Sequence, residues 1–350
     1  MGIKPSVATI GLLLLIALAA ACGSAVRQSP AERPTSAEPL VWPQPPAQAR
    51  IRFIRAVTRP ADLDIKRSFW KRVLQAIRGK EDVRFVRPGA VAAHGDVIYV
   101  ADPGAQTLWI LNPKAHWFKR IREVGDDEPL ISPVAVALGP NGRVYLADSY
   151  LTKVFVFSAD GKLQRTIADA KLQRPVGLAY DAATDGLYVA DSAAHRIWVF
   201  SNEGKSLRTI GEHGTARGQF NFPTHVALDR EGTLHVTDAL GFRIQRFARD
   251  GRFVDAFGHH GNASGDFAAP KGVAVDSEGH IYVVDALFDT VQIFDRAGRY
   301  LLNFGERGVN LGQFWLPAGL FIDAADRVYV ADAYNQRIQI FQYLRGGGDD

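Results

Sequence analysis

Six aspartates at nearly constant spacing form the most prominent chemical set in the sequence. They are Asp102, Asp148, Asp191, Asp238, Asp285 and Asp332, at intervals of 46, 43, 47, 47 and 47 residues. Six carboxylates on one ring could bind a divalent cation or exchange protons with a substrate. Each aspartate ends a strand-like segment such as Tyr145–Asp148, however, where a carboxylate commonly accepts N–H groups of the following turn. Because an active site needs asymmetry and all six copies carry the aspartate, we predict a structural role.

His225 is a second candidate, because it departs from the repeat. The second residue after the proline that begins each copy is small in the other five copies, as Ala90, Ala135, Gly177, Gly272 and Gly319. We expect these residues to line a narrow central channel and the His225 imidazole to point toward its axis. A metal or catalytic role would need partners from other copies. His213, His259 and His260 lie in loops of consecutive copies and are expected to bind a metal only adventitiously, so we predict no functional metal and no cofactor.

Each copy except the last contains four short β-like runs that must position these residues. In the fifth copy the runs are Gly272–Asp276, His280–Asp285, Val291–Phe294 and Arg299–Phe304, separated by turns that contain glycine. Short β-branched or aromatic runs punctuated by Gly and Asp are typical of antiparallel meanders. Four such strands repeated radially form a propeller blade. The sequence therefore predicts an all-β fold over residues 49–345, a six-bladed β-propeller of four-stranded antiparallel blades.

The sixth copy has only three of the four strands. These are Gly319–Asp323, Arg327–Asp332 and a strand from Arg337 to Phe341. A run that matches the missing outer strand occurs near the N-terminus, at residues 49–57. We predict that this N-terminal strand completes the last blade, which would close the ring and protect its exposed sheet edges.

The residues before the first strands resemble those of a known family. Gly218–Pro223, Gly265–Pro270 and Gly312–Pro317 share the pattern Gly-x-Phe-x-x-Pro, and they are followed by runs such as Ile281–Asp285. Residues 87–344 resemble NHL repeats in six tandem copies, and the layout of the chain is similar to that of bacterial six-bladed NHL lipoproteins. The resemblance implies a propeller with a binding role, since NHL propellers serve as sensor, protein-binding or RNA-binding modules, although a few relatives are enzymes.

The enzymes of similar fold define an alternative function. The peptide-amidating lyase branch holds zinc with histidines from several blades, but no histidine directly follows the proline in this sequence. The residues there are Gly89, Val134, Val176, Thr224, Lys271 and Ala318. Sugar-lactone hydrolases place carboxylates and an asparagine around a divalent cation on a six-bladed propeller. A metal-dependent hydrolase or lyase with its site at the mouth of the channel therefore remains the alternative, and we predict no catalytic residue.

The second and the fifth residue after each repeated aspartate define a candidate binding face. The turns after the aspartates and the starts of the first strands should lie on one side of the propeller, where apolar and cationic side chains alternate. The candidate ligand-binding residues are Tyr150, Lys153, Arg196, His225, Leu240, Arg243, Leu287, Tyr334 and Arg337. Such mixtures favour protein partners, because they combine apolar area with directional donors. The alternative is that these residues pack on neighbouring blades and that the arginines pair with the repeated aspartates.

The N-terminal residues have the pattern expected of an export signal. An apolar run from Ile10 to Ala21 follows Lys4, and it is too short to span a bilayer as a helix. Residues 1–21 are therefore predicted to be a signal peptide. The run ends at Cys22, the only cysteine, in a context that resembles a bacterial lipobox, although Ala19 replaces the usual leucine. We predict lipidation at Cys22 and attachment to a membrane of the cell envelope, facing the periplasm or the exterior. The alternative is an ordinary secretory signal.

The segments between the anchor and the repeat are less regular. Residues 22–48 are rich in proline, and we predict an extended tether. Residues 64–78 place Ile65, Phe69, Val73 and Ile77 four residues apart among basic residues, which predicts one short amphipathic helix outside the repeat. Its apolar side is expected to pack on the propeller; the alternative is contact with anionic lipid or with a partner. Residues 346–350 are expected to be a disordered tail.

Composition narrows the classes of partner. The formal net charge is +4, without long runs of like charge, and this does not indicate a nucleic-acid-binding protein. Together these features predict an exported, lipid-anchored propeller that is a non-catalytic scaffold or sensor for a protein, a peptide or another component of the cell envelope.

Overall fold

The computed structural model describes residues 39–65 and 83–345, whose strands form six sheets around a central axis. A separate two-stranded sheet, Glu123–Val124 with Glu128–Pro129, lies in the connection between blades 1 and 2. Blade 1 consists of Ala90–His94, Val97–Asp102, Thr107–Asn112 and Trp117–Ile121. Blade 2 consists of Pro133–Leu138, Val144–Asp148, Lys153–Phe157 and Leu163–Ile167. Blade 3 consists of Pro175–Asp181, Gly186–Asp191, Arg196–Ser201 and Ser206–Ile210. Blade 4 consists of Pro223–Leu228, Leu234–Asp238, Arg243–Phe247 and Phe253–Phe257. Blade 5 consists of Pro270–Val275, Ile281–Asp285, Thr290–Phe294 and Tyr300–Phe304. Within each blade the four strands pair in sequence order. The predicted six-bladed propeller of four-stranded antiparallel blades is confirmed.

The sixth blade is completed by the N-terminal strand, as the strand count predicts. Its first three strands are Leu320–Ile322, Arg327–Asp332 and Arg337–Tyr343, and the fourth is Ile51–Val57. The closing strand runs antiparallel to the last one, with Ile51 opposite Tyr343 and Val57 opposite Ile338. The two ends of the described chain therefore share one sheet.

The last ten residues of the predicted tether, 39–48, are not simply an extended linker but include a short strand. A fifth strand, Val41–Trp42, pairs with the start of the closing strand. The Trp42 ring lies 5.9 Å from the Phe304 ring and 5.8 Å from the Phe341 ring, between centroids. Proline-rich composition indicates extended chain, but it does not show that one tryptophan can dock that chain on a sheet edge. Residues 1–38, with the predicted signal peptide, Cys22 and the rest of the tether, lie outside the described residues.

The segment after the closing strand begins with a short 3-10 helix, Pro60–Leu63, which the sequence did not indicate. Leu63 and Ile65 are buried against Phe85 and Trp109 in the cluster between blades 6 and 1. The predicted helix over residues 64–78 lies outside the described residues from position 66 onward, and so does the predicted tail at 346–350. No helix in the described part of the chain is long and apolar enough to cross a bilayer.

The core consists of six apolar clusters, one between each pair of neighbouring blades. Successive side chains of a strand point to opposite faces of its sheet. In blade 3, Leu187 and Val189 pack against blade 2, whereas Tyr188 and Ala190 pack against blade 4. Because both faces of the second and third strands are buried, these strands are nearly continuous apolar runs.

Candidate functional site

The six repeated aspartates join each blade to its own loops. All six are fully buried. In blade 1, the Asp102 carboxylate accepts hydrogen bonds from the backbone N–H groups of Val86 at 2.8 Å, Arg87 at 2.9 Å and Ala105 at 3.1 Å. Equivalent bonds occur at Asp148, Asp191 and Asp285. The carboxylates thus fasten the segment before the first strand to the turn after the second strand, which is the structural role that their spacing indicates.

Backbone bonds between these two segments define one side of the propeller. The Ser149 N–H donates to the Ser132 carbonyl at 2.9 Å, and the Ala286 N–H donates to the Ala269 carbonyl at 3.0 Å. The turn after each aspartate therefore lies beside the start of a first strand. We call the side formed by these turns and strand starts the loop face.

Four predicted residues of the loop face project apolar side chains into solvent. They stand at the second position after the aspartate, and their exposed fractions are 73% for Tyr150, 51% for Leu240, 63% for Leu287 and 50% for Tyr334. Each follows an aspartate-anchored turn; the Tyr150 N–H, for example, donates to Asp148. Trp315, which the sequence did not single out, adds to this apolar set, since its ring lies 5.8 Å from that of Tyr334 and it is 41% exposed.

The cationic residues of the predicted face are bound within the blades instead. Arg243 and Arg337 pair through Nε with Asp238 at 2.9 Å and Asp332 at 2.7 Å, and Arg337 is only 8% exposed. Both were predicted as ligand-binding residues, but the structure supports the alternative that arginines pair with the repeated aspartates.

The two other predicted cations of the face also have partners in the chain. Lys153 pairs with Glu128 at the loop between blades 1 and 2. Arg196 donates through Nε to the Ala194 carbonyl at 3.1 Å, and its guanidinium lies 6.0 Å from the Trp198 ring centroid. These side chains hold the shape of the loops.

Two further cations lie where the first strands begin. Arg174 is exposed and directly precedes the proline of blade 3, and Lys271 directly follows the proline of blade 5. Burial lowers the pKa of Lys271 from its usual value, and the positive charge of Arg174 lowers it further. The sequence shows both residues, but their proximity depends on the ring, which brings blades 3 and 5 to the same channel mouth. The positive charges of Arg174 and Lys271 therefore act on each other where the first strands begin, and the exposed apolar residues lie on the turns after the aspartates.

His225 lines the central channel, as predicted, together with small residues of other blades. The channel contains a cavity of about 390 Å³, whose lining includes Ala90, Ala135, Gly177 and Gly319. Neighbouring first strands approach closely at this level, since a Cβ on Gly177 would lie 2.4 Å from the Thr224 carbonyl oxygen. Backbone contact between the blades therefore requires glycine at position 177, and Gly272 and Gly319 are equally close to the next first strand.

The His225 imidazole is neutral at physiological pH. Burial lowers its pKa to about 3, and the positive charge of Lys271 acts in the same direction. Its Nδ1 lies 3.2 Å from the Thr224 hydroxyl. Within residues 39–65 and 83–345, no group of three or more His, Cys, Asp or Glu side chains is placed to hold a metal ion.

The loop histidines of consecutive blades have different neighbours. The His213 ring lies 4.2 Å from the His195 ring, whereas the His260 ring lies 4.4 Å from Phe242. His259 pairs with Asp266 at 2.8 Å. The structure therefore does not bring these predicted adventitious ligands together.

Comparisons with known proteins agree with this architecture. The family described as the teneurin NHL domain matches residues 120–313, and the NHL repeat matches residues 314–341. No curated protein matches the sequence significantly.

Several solved structures share the fold. A Bacteroides thetaiotaomicron protein of unknown function gives a TM-score of 0.59 at 16% identity, over 75% of this chain and 70% of that chain. Virginiamycin B lyase from Staphylococcus aureus gives 0.57 at 13% identity, over 74% and 96% of the two chains. A chain of a nidogen/laminin complex gives 0.52 at 20% identity, over 62% and 80%. At these identities the likeness shows the fold alone.

Proposed function

The chain belongs to the teneurin NHL domain family of NHL-repeat propellers, and we propose that it is a binding scaffold that holds a protein on its loop face. The observation that carries the proposal is the set of four exposed apolar residues at one register position: Tyr150, Leu240, Leu287 and Tyr334. Single exposed apolar residues need no explanation, but here they recur on one side of the disc and are joined by Trp315. The nidogen/laminin complex shows a propeller of this fold in a protein assembly.

The distribution of apolar and polar groups fits a protein interface. Tyrosine and tryptophan dominate interface energetics, because they bury a large area and lose little side-chain entropy. The aspartate-anchored turns hold these side chains in place before binding, which reduces the ordering cost that a partner would otherwise meet.

The two cations at the starts of the first strands support one chemistry for the partner. Arg174 and Lys271 lie near each other at the channel mouth, whereas the aspartates of their own blades, Asp191 and Asp285, are buried and bonded to backbone N–H groups. A carboxylate of the partner would relieve the repulsion between these two cations. We therefore propose a partner segment with apolar side chains around an acidic residue.

The location of the scaffold is also proposed. Lipidation of Cys22 would hold the propeller at a membrane of the cell envelope, with the folded part on the periplasmic or exterior side. The apolar run before Cys22 and the proline-rich segment after it support this arrangement.

Site-specific photo-crosslinking tests the binding proposal. A photoreactive amino acid is placed in turn at Tyr150 and at Tyr334 in the full-length chain, and adducts formed in intact cells are identified by mass spectrometry. The expected result is the same protein partner from both positions. The matched control is Leu207, an equally apolar and exposed residue on the fourth strand of blade 3, which should not give this adduct.

The double substitution Tyr150→Ala, Tyr334→Ala then measures the energetics. Loss of two central aromatic contacts is expected to weaken binding of the crosslinked partner by at least about tenfold, since such residues each contribute about 1–2 kcal/mol or more. The control Leu207→Ala, Leu301→Ala removes comparable apolar area from the outer strands. Equal affinity of the two double variants would refute the loop face as the binding site.

A further inference from the structure

Three aliphatic side chains are exposed where the loop from blade 5 to blade 6 meets the N-terminal segment. Val309 and Leu311 in this loop are 66% and 52% exposed, and Leu40 of the N-terminal segment is exposed as well. The loop and the segment are in contact, since a Cβ on Gly312 would lie 2.8 Å from the Trp42 ring and 3.7 Å from Leu40 Cδ1. We call Leu40, Val309 and Leu311 the rim patch.

The rim patch lies at the outer edge of the propeller. The strand Val41–Trp42 pairs on the outside of the closing strand, and Leu40 directly precedes it. The Leu40 carbonyl accepts a hydrogen bond from the Phe53 N–H at 2.9 Å, which holds this residue on the sheet edge. Trp42 packs on Phe304, the last residue of the outermost strand of blade 5. The chain that leads back toward Cys22 therefore leaves the described fold from the rim patch itself.

Two equivalent loops show that the aliphatic residues are not needed for the loop structure. Residues 214–220, 261–267 and 308–314 share the pattern Gly-x-x-x-Gly-x-Phe. In all three loops the N–H of the phenylalanine donates to the carbonyl eight residues earlier, at 2.8 to 2.9 Å. The residues at the positions of Val309 and Leu311 are polar in the other two loops: Thr215 and Arg217 in one, Asn262 and Ser264 in the other. The exposed aliphatic pair is thus specific to the loop beside the N-terminal segment.

The chemistry of the rim patch fits a lipid surface better than a protein. Leucine and valine are under-represented among the residues that dominate protein interfaces. Aliphatic side chains flanked by cations instead suit the boundary between the headgroups and acyl chains of a bilayer. Arg307 in the same loop and Arg52 on the closing strand are both exposed, whereas the acidic Glu306 accepts a hydrogen bond from Gln313 at 3.0 Å. Such cations favour anionic headgroups.

The position of Cys22 in the chain gives the rim patch a membrane within reach. Pro39, where the described chain begins, follows Cys22 by seventeen positions. A chain of this length spans at most about 60 Å when fully extended. A lipid on Cys22 would therefore keep the rim patch near a bilayer without determining which side of the propeller faces it. A second apolar contact would determine the orientation and strengthen the attachment.

We propose that Leu40, Val309 and Leu311 insert into the headgroup region of the membrane that carries the anchor. This inference rests on the proposed membrane location of the protein. It places the boundary between blades 5 and 6 at the bilayer, and Tyr150 of blade 2 on the far side of the ring, away from the lipid.

Photo-crosslinking to lipid tests the proposal. The full-length chain is reconstituted in vesicles of phosphatidylethanolamine and phosphatidylglycerol, with a photoreactive amino acid at Leu311. The matched controls carry it at Arg217 or at Ser264, the same position of the two polar loops. Phospholipid adducts are quantified by mass spectrometry. We expect at least about tenfold more adduct at Leu311 than at either control, because only this loop would bury aliphatic area in the bilayer.

A loop exchange tests the role of the aliphatic side chains. Val309→Asn with Leu311→Ser gives this loop the residues of the loop between blades 4 and 5, which forms the same structure. With the photoreactive amino acid at Leu40 as reporter, lipid adducts should fall by about tenfold. The control Val254→Asn with Leu207→Ser removes equally exposed aliphatic side chains from outer strands of blades 4 and 3, and it should leave the adducts at Leu40 unchanged.

The outcomes separate the rim patch from the anchor and from the loop face. The intact mass of the purified chain shows independently whether Cys22 carries a lipid. If it does not, the proposed location is wrong, and the same comparison of adducts with the chain added to preformed vesicles still decides whether the rim patch binds lipid. The Tyr150→Ala, Tyr334→Ala variant should retain its lipid adducts, whatever its effect on the protein partner. Equal adducts in the three loops, a second protein chain in place of lipid at Leu311, or undiminished labelling of Leu40 after the loop exchange would each overturn the proposal.

Discussion

The substitution Arg337→Ala tests whether the arginines of the loop face hold the fold. The Arg337 guanidinium is nearly buried, pairs with Asp332 at 2.7 Å, and donates to the carbonyls of Val309, Asn310 and Gln313. Removing one partner of a buried ion pair leaves the other charge uncompensated, which costs about 3–5 kcal/mol. We therefore expect the free energy of unfolding to fall by about this amount at pH 7.

The pH dependence of this loss follows from Asp332. Burial raises the pKa of Asp332 above its usual value even with Arg337 beside it, and removal of the guanidinium should raise the pKa further. A carboxyl whose pKa is higher in the folded than in the unfolded protein costs stability at neutral pH. The cost disappears as the pH falls below the unfolded value of about 3.9, because both states are then protonated. The difference in the free energy of unfolding between Arg337→Ala and the parent should therefore become smaller from pH 7 toward pH 4.

Urea denaturation of the full chain, followed by tryptophan fluorescence at pH 7, 5.5 and 4.5, measures this difference. The control is Arg307→Ala, because Arg307 is largely exposed and lies 4.0 Å from Asp289, where an ion pair contributes about 0–1 kcal/mol. A loss no larger than that of the control at pH 7, or one that does not shrink on acidification, would refute the structural role and return Arg337 to the candidate binding surface.

Three further predictions concern closure, binding and location. Trp42→Ala should lower the free energy of unfolding by about 2 kcal/mol, because a half-buried ring leaves Phe304 and Phe341, and an unchanged urea midpoint would contradict its docking. Arg174→Glu with Lys271→Glu should reduce crosslinking of the partner at Tyr150 by about tenfold, and undiminished adducts would exclude an acidic partner group. Cys22→Ser should move the protein from the membrane pellet to the soluble fraction and abolish fatty-acid labelling, whereas retained labelling would place the lipid elsewhere.

The regular features of the fold are predictable from the sequence, because they recur. The spacing of Asp102, Asp148 and their equivalents gives the number of blades. The strand missing from the sixth copy predicts a closing strand at residues 49–57, which the structure has at Ile51–Val57. Each inference uses a pattern that six copies repeat, so local ambiguity in any one copy averages out. The role of the aspartates is predictable for the same reason.

The partners of individual side chains are not predictable in this way. Tyr334 lies in the turn that precedes the strand beginning at Arg337, three residues away, yet Arg337 is buried in an ion pair and Tyr334 is half exposed. Their distinction depends on carbonyls at Val309 and Asn310, which belong to the loop before the blade. Docking of Trp42 likewise depends on a gap beside Phe341 that only the assembled sheet provides.

Residues that are the same in every blade and residues that differ among blades have different roles in this molecule. Positions that are constant in all blades, such as the aspartates, are buried and bonded, so their substitution should reduce stability. Some positions that differ among blades lie instead at the surface or line the channel, namely Tyr150 and Leu287 on the loop face and His225 in the channel. Closure of the ring does not need a histidine in the channel, since small residues occupy that position in the other five blades. The exposed apolar side chains of Tyr150 and Leu287 make no packing contribution that closure requires, and this is why we assign them to a protein partner rather than to folding.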